Sequence, residues 1–273
     1  MTLYTPPVTR KPTKWGHYYV DANNNRMPGV TTILNAGINK PQLIDWAGNK
    51  TVEIAIDHWD ELTDMPPIKR QAAITSMRKT SENLVKNRGT RVHAIAANIV
   101  AGQPATFEGD DEETLLRPYI ENYIHFIDLW QLDPVLVECV VVNYSIGFAG
   151  TLDLIAELTT PAGDRERWLL DIKTGEKGIW PETALQLAAY RNAERYVDND
   201  GDEQPMIGVN QCGAIHVTAD DAVLVPTVSD NQAFKMFRHA KIMYQFDKDK
   251  DGYVLPALLH PKTSAAHVDW GQQ

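Results

Sequence analysis

The chain has only two cysteines, Cys139 and Cys212, in 273 residues. Two thiols exclude a disulfide framework. They also exclude any metal site that needs three or four thiolates from this chain. No apolar run reaches the roughly 18 residues of a membrane span, so no membrane partner is expected. The opening MTLYTPPVTRKPTKWG lacks the apolar stretch of a secretory signal, which predicts a soluble, cytoplasmic protein. There is no Gly-rich P-loop, no G-x-S-x-G and no H-E-x-x-H, so an ATP-driven motor is not encoded here. Internal repeats and low-complexity linkers are also missing. What remains is ordinary globular composition, 43% hydrophobic and 23% charged, which sets aside disorder, collagen and coiled coil.

Nor is there a surplus of positive charge. The formal net charge is -10, which taken alone speaks against a nucleic-acid partner. The charge is unevenly spread, however. Residues 1–100 carry 13 Lys/Arg against 8 Asp/Glu, and residues 101–273 carry 13 against 28. Residues 69–91 hold seven bases (Lys69, Arg70, Arg78, Lys79, Lys86, Arg88 and Arg91) and one acid, Glu82. Such a segment can follow a phosphate backbone, or be simply the solvated face of a helix.

The aromatic, β-branched run at 15–20 followed by Asp21-Ala-Asn-Asn-Asn predicts a hairpin. Thr31 or Thr32 is a candidate N-cap for a helix beginning near Ile33. Helices are expected over 42–60 and 68–87, with a break at Gly89-Thr90 and a new short helix over 91–101. A long amphipathic helix follows at 111–130, with acids in its first turn where the helix dipole favours them. Strands are expected at 135–143, 148–158 and 168–173. A helix over 181–197, strands near 206–217 and 222–226, a helix over 230–246 and an irregular tail complete the reading. This pattern predicts one α/β domain around a mixed sheet, with a helical N-terminal elaboration.

Chemistry enters with three acids set inside apolar strands. Glu138 interrupts VLVECVVV, Asp153 interrupts GTLDLIAEL, and Asp171 interrupts WLLDIK with Lys173 two residues on. A carboxylate in an apolar strand costs free energy unless it is paired or binds a cation. Strand side chains at i and i+2 share a face, so Asp171 and Lys173 project together. If the three strands are neighbours, their acids converge on a hard-oxygen site for Mg²⁺ or Mn²⁺, one ion or two. Such an ion polarises a phosphoryl oxygen and acidifies water, and a lysine alongside orients or deprotonates the attacking water. Taken singly, each acid is more often a surface or edge residue, and Asp171-x-Lys173 reads as a salt bridge.

These residues belong to an ordered series. Gly89-Thr90-Arg91-Val92-His93 comes first, then Glu138, then Gly150-Thr151-Leu152-Asp153, then Asp171-Ile172-Lys173-Thr174, and finally Gln186-Leu-Ala-Ala-Tyr190 on the following helix. The series resembles the PD-(D/E)XK nuclease superfamily, and most of all its RecB-type and lambda-exonuclease-like phage branch, across residues 89–190. The resemblance implies a restriction-endonuclease-like core, a mixed central β-sheet flanked by helices, over 89–246. Residues 1–88 would form a DNA-contacting hairpin and helical elaboration, and 247–273 a tail.

The resemblance also implies roles. Asp153, Asp171 and the Ile172 carbonyl would bind metal, His93 would be a further ligand, and Glu138 would complete the acidic cluster or hold a metal-bound water. Lys173 would position the nucleophile. Gln186 and Tyr190, one helical turn apart, would brace the site or contact the DNA backbone. Lys79, Lys86, Arg88, Arg91 and Thr174 are the further candidate DNA contacts. Read alone, His93 is a core histidine, and Gln186 and Tyr190 are helix–sheet packing. Some members of the superfamily carry an iron–sulfur cluster on four cysteines; two cannot supply it.

The expected function is therefore a divalent-metal-dependent DNA exonuclease, phage-encoded and acting in recombination or replication on linear single- or double-stranded ends. A single-strand annealing protein and a second copy of the chain are the expected partners by analogy. A structure-specific endonuclease on the same core, a catalytically silent DNA-end-binding protein and an RNA substrate stay open. Asp247-x-Asp249-x-Asp251-Gly252 begins like an EF-hand loop, but its twelfth position is Leu258 rather than Glu.

Overall fold

The computed structural model describes residues 7–14 and 16–253. The chain opens with a small antiparallel sheet of β1 (Thr9–Thr13), β2 (Gly16–Val20) and β3 (Arg26–Met27). The β2–β3 turn is the Asp21 segment, whose carboxylate accepts from the backbone N–H of Asn23 and Asn25. Five helices follow: α1 (Val30–Gly37), α2 (Pro41–Asp57), α3 (Trp59–Thr63), α4 (Pro67–Val100) and α5 (Asp110–Trp130). Next come β4 (Asp133–Asn143), β5 (Phe148–Thr159), β6 (Arg165–Lys173) and α6 (Glu182–Arg191). Four strands, β7 (Arg195–Val197), β8 (Glu203–Pro205), β9 (Gln211–Val217) and β10 (Ala222–Pro226), lead to α7 (Asn231–Asp249) and a single 3-10 turn.

Seven strands make one mixed sheet in the order β10-β9-β6-β5-β4-β7-β8. Only β6 and β9 run parallel, joined by the crossover through α6; the other pairs are antiparallel. Helices cover both faces. On one, Val92, Ile95 and Ala96 of α4 and Leu116, Ile120 and Tyr123 of α5 pack on Leu154, Leu170 and Ile215. On the other, α1, α6 and α7 pack Ile33, Leu187 and Phe237 on Val141, Leu152 and Leu169. The architecture is thus the expected α/β class with a mixed central sheet. Among the described residues no helix is long and apolar enough to cross a membrane.

Several boundaries differ from the sequence reading. The expected break at Gly89-Thr90 is absent: α4 is one helix of 34 residues, running through the 88/89 boundary. Glycine costs an interior helix position about 1 kcal/mol. Here a Cβ would lie 3.3 Å from Thr174 Oγ1, so the glycine lets α4 lie closely on the end of β6. Helix α1 starts at Val30 with Gly29 at its N-cap and no side-chain cap, not at Ile33 behind Thr31 or Thr32. The helix expected over 42–60 stops at Asp57, and Trp59–Thr63 is a separate short helix.

The helix expected over 181–197 ends at Arg191. Arg195–Val197 instead extends the sheet beside Val141 and Val142, and pairing to these β-branched residues overrides helical continuation. The strand expected near 206–217 begins only at Gln211. Helix α7 continues to Asp249, past the expected start of an irregular tail. Trp15, residues 1–6 and residues 254–273, including the Leu258 position, lie outside the described residues.

Strand geometry at one point prepares the site. Residues two apart on a strand normally share a face. On β4, Val137 belongs to the α4–α5 side and Cys139 to the α1–α6–α7 side. On β5, Leu154 belongs to the first and Leu152 to the second. The alternation therefore changes phase at Glu138 and at Asp153. Because both strands slip together, register is preserved: Val137 pairs Leu154 and Cys139 pairs Leu152. Glu138 takes up the slip with a left-handed backbone, φ +48°, which costs a non-glycine residue about 1 kcal/mol or more.

Candidate metal and catalytic site

The site lies where β4, β5 and β6 meet the C-terminal half of α4. The β5–β6 ladder has no pair beyond Leu154–Leu170, although both strands continue. In place of a ladder bond, the Ile172 N–H donates to Asp153 Oδ2 at 2.8 Å. The Asp153 side chain thus enters the gap between the two strands.

His93 reaches the same carboxylate from α4, with Nδ1 3.3 Å from Asp153 Oδ2. His93, Glu138 and Asp153 each offer a ligand atom, and these atoms lie within 4.8 Å of one another. Donors on opposite sides of an octahedral Mg²⁺ stand about 4.2 Å apart, so the group is close to the span one ion needs.

Asp171 adjoins this group on β6 and is 2% exposed. Its Oδ1 accepts from Gln186 Nε2 at 2.7 Å. Its Oδ2 forms an ion pair with Lys173 Nζ at 2.7 Å. The donor chemistry fits as well: one imidazole and hard carboxylate oxygens match Mn²⁺ or Mg²⁺.

The charges are strongly coupled. Burial works against the His93 imidazolium, but the Asp153 charge and hydrogen bond outweigh it, and with Asp171 they raise its pKa to about 9. Burial likewise opposes the Asp153 charge, yet His93, Lys173 and the Ile172 N–H hold its pKa below the ordinary value. Asp171 is pushed up to about 6 by burial, with Lys173 restraining it and Asp153 adding repulsion. Glu138, open to solvent on its outer side, rises to about 7 through lost hydration and then the Asp153 charge. Without a cation, the cluster therefore retains protons that the free side chains would release.

Helix α6 supports the Asp171 side of this group. Tyr190 is 3% exposed and packs against Gly150, where a Cβ would stand 2.4 Å from Tyr190 Cε1. Gly150 is thus required by close approach, so that Gln186, one turn earlier on the same helix, meets Asp171. Tyr190 itself supports from below rather than facing solvent. Beside Lys173 and Gln186 lies a cavity of about 190 Å³, lined also by Thr31, Asn35, Lys40 and Trp180.

The structure does not bring every sequence candidate to the cluster as a free group. The Ile172 N–H is taken up by Asp153. Thr174 is buried under Gly89 of α4. Arg88 is paired with Glu176 at 3.3 Å and lies over the Tyr119 ring. Arg91 grips Glu112, with Nε at 2.6 Å from Oε1. Lys79 and Lys86 are exposed on α4. The sequence reading missed Tyr19, which bonds Thr151 Oγ1 at 2.9 Å across 132 residues, and with it the hairpin residues Arg10 and His17. No local spacing signals a contact of that range.

Comparison with models of known protein families gives no match, and comparison with curated protein sequences gives none.

Proposed function

We propose that this protein is a divalent-metal-dependent deoxyribonuclease with a restriction-endonuclease-like core, and that it acts as an exonuclease on linear DNA. One observation carries the reading. His93, Glu138 and Asp153 converge on a single point, beside the Asp171–Lys173 pair held by Gln186. Such a constellation suits phosphodiester hydrolysis, in which charge develops on phosphoryl oxygens and a water must be aimed.

His93, Glu138, Asp153 and Asp171 would hold the ion. When bound, the ion supplies Lewis-acid polarisation of the phosphate and lowers the pKa of water. The rest falls to side chains of this chain. Lys173, kept cationic by Asp171, aims water at phosphorus or meets the developing negative charge. Gln186 fixes the Asp171 carboxylate so that Oδ2 stays turned into the site. Tyr190 sets the height of α6 against β5 and thereby the reach of Gln186.

The exonuclease form is proposed from the resemblance of the ordered series at residues 89–190 to the phage exonuclease branch. Lys40, at the start of α2, forms a 3.2 Å ion pair with Glu182 at the start of α6, across the cavity beside Lys173. The net charge of -10 is compatible with this reading, because part of the acid belongs to the cation site and a bound ion reverses the local sign.

The test uses end-labelled linear duplex, linear single strand and covalently closed circular DNA, each with Mg²⁺, Mn²⁺ or EDTA. Metal-dependent loss of linear DNA with circles spared is expected. Cleavage of circles would make it an endonuclease, and gel-shift binding without cleavage in either metal would make it a silent end-binding protein.

A further inference from the structure

We infer that Arg10, braced by His17, is a phosphate-binding group on the Glu138 side of the metal cluster, one strand from Asp153 on the flank opposite Lys173. The inference rests on the nuclease reading, because it takes the bound anion to be a phosphate of the DNA strand.

The placement follows from register. Arg10 pairs Tyr19 and Pro12 pairs His17, so Val8, Arg10, His17 and Tyr19 share one face of the β1–β2 hairpin. Val8 and Tyr19 are buried on that face against Val142 of β4 and Ala149 of β5. Ala149 N–H also donates to the Pro28 carbonyl at 3.1 Å, which fixes the hairpin's exit to β5. The buried half of the face is therefore anchored at the ends of the two strands that carry Glu138 and Asp153. The exposed half, Arg10 and His17, extends from that anchor.

A chain of hydrogen bonds holds the exposed half in place. Arg10 Nη2 lies 3.2 Å from His17 Nδ1, His17 Nε2 lies 3.1 Å from Tyr19 Oη, and Tyr19 Oη lies 2.9 Å from Thr151 Oγ1. A guanidinium only donates, so Nδ1 accepts and Nε2–H donates to Tyr19. Tyr19 is then left to donate to Thr151, two residues before Asp153. His17 must be neutral for this order, and burial together with the Arg10 charge holds its pKa below the ordinary value.

Charge completes the argument. The other cations around the cluster are committed: Lys173 to Asp171, Arg88 to Glu176 and Arg91 to Glu112. Among the described residues, no carboxylate lies within salt-bridge distance of Arg10. Its charge nevertheless acts on Glu138, where it favours the carboxylate. A propped guanidinium with unused donors beside a metal cluster is a fork for a phosphate. Across the sheet, Lys173 on β6 and Arg10 by β4 would then bracket the strand.

The test compares wild type, Arg10→Gln and Arg10→Lys. Cleavage of linear duplex in Mn²⁺ gives kcat and KM. Binding is read by fluorescence anisotropy over a salt series, with each Arg10 variant also carried in the non-cleaving Lys173→Ala background. Arg10→Gln is expected to raise KM about tenfold. It should also reduce the log–log salt slope by about one phosphate contact. Arg10→Lys should keep the slope and recover part of the KM. An unchanged slope and KM in Arg10→Gln, with wild type active, would overturn the inference and leave the nuclease reading standing. Wild type that cleaves no DNA in either metal would overturn both. A slope lost equally in Arg10→Lys would assign Arg10 to hairpin structure and overturn the inference as well.

Discussion

Glu138 stands opposite Asp153 across the β4–β5 pair, and the face alternation of both strands changes phase at that position. The consequence is a local change of geometry. Each strand keeps apolar residues on both sides of its acid, and the two carboxylates are freed from the ordinary in–out pattern. The left-handed backbone of Glu138 is the local cost of that arrangement.

That cost predicts a trade between stability and binding. Glu138→Gly should leave the folded state as stable as wild type or raise stability by up to about 1 kcal/mol, because glycine adopts this conformation freely. The same substitution should weaken Mn²⁺ binding. Urea denaturation and metal titration on one preparation check both. A stability loss above about 1 kcal/mol would show that the Glu138 side chain holds the fold.

The acids and lysine of the cluster should be required for cleavage beyond any effect they have on stability. Asp153→Ala, Asp171→Ala and Lys173→Ala should each lower kcat by about a thousandfold or more while retaining the wild-type far-UV spectrum. A variant with full activity removes that residue from its role.

Gly150 should tolerate no side chain. Gly150→Ala places a methyl against the Tyr190 ring and should cost roughly 1–3 kcal/mol by overpacking. The displaced α6 would carry Gln186 away from Asp171, so activity should fall too. Unchanged thermal stability in this variant would contradict the close approach.

The metal-free protein should lose stability as pH rises. The His93 pKa of about 9 lies above its ordinary 6.5. Its contribution is therefore complete below pH 6.5 and lost as pH rises through 9, amounting to roughly 3 kcal/mol. Asp171 and Glu138, also raised, act in the same direction at lower pH. Urea midpoints in EDTA should fall from pH 6.5 to 9.5, and His93→Ala should flatten the upper part of that fall. A midpoint constant over this window would contradict the His93–Asp153 pair.

The basic face of α4 should divide. Charge reversal at Lys79 and Lys86, both exposed, should weaken DNA binding and reduce its salt slope without affecting stability. Reversal at Arg88 should destabilise the protein instead, since it breaks the link to Glu176 and Thr174. Equal effects at all three positions would contradict the division.

Much of this was legible in the sequence, for identifiable reasons. Strands β4, β5 and β6 announce themselves as β-branched apolar runs, and their neighbouring order follows from short connections. Asp171 and Lys173 share a face by strand periodicity alone, and the structure places them 2.7 Å apart. The phase slip at Glu138 and Asp153 was not legible, because apolar residues on both sides of a strand acid fit a buried strand equally well. Gly89 misled because helix propensity is local, whereas the reason for a glycine there is Thr174, 85 residues away. The roles of Arg88 and Arg91 depend on Glu176 and Glu112, partners that no charge count within 69–91 contains. Tyr19 and Arg10 depend on docking of the hairpin at Thr151, which sequence spacing does not encode.

The central claim is that His93, Glu138, Asp153 and Asp171 share a divalent ion. Titration of the purified protein with Mn²⁺, followed by calorimetry or by the loss of free-ion paramagnetic signal, tests it most directly. The account predicts saturable binding in wild type that is weakened at least about tenfold in Asp153→Asn and in His93→Ala. Equal Mn²⁺ affinity in wild type and Asp153→Asn would contradict it.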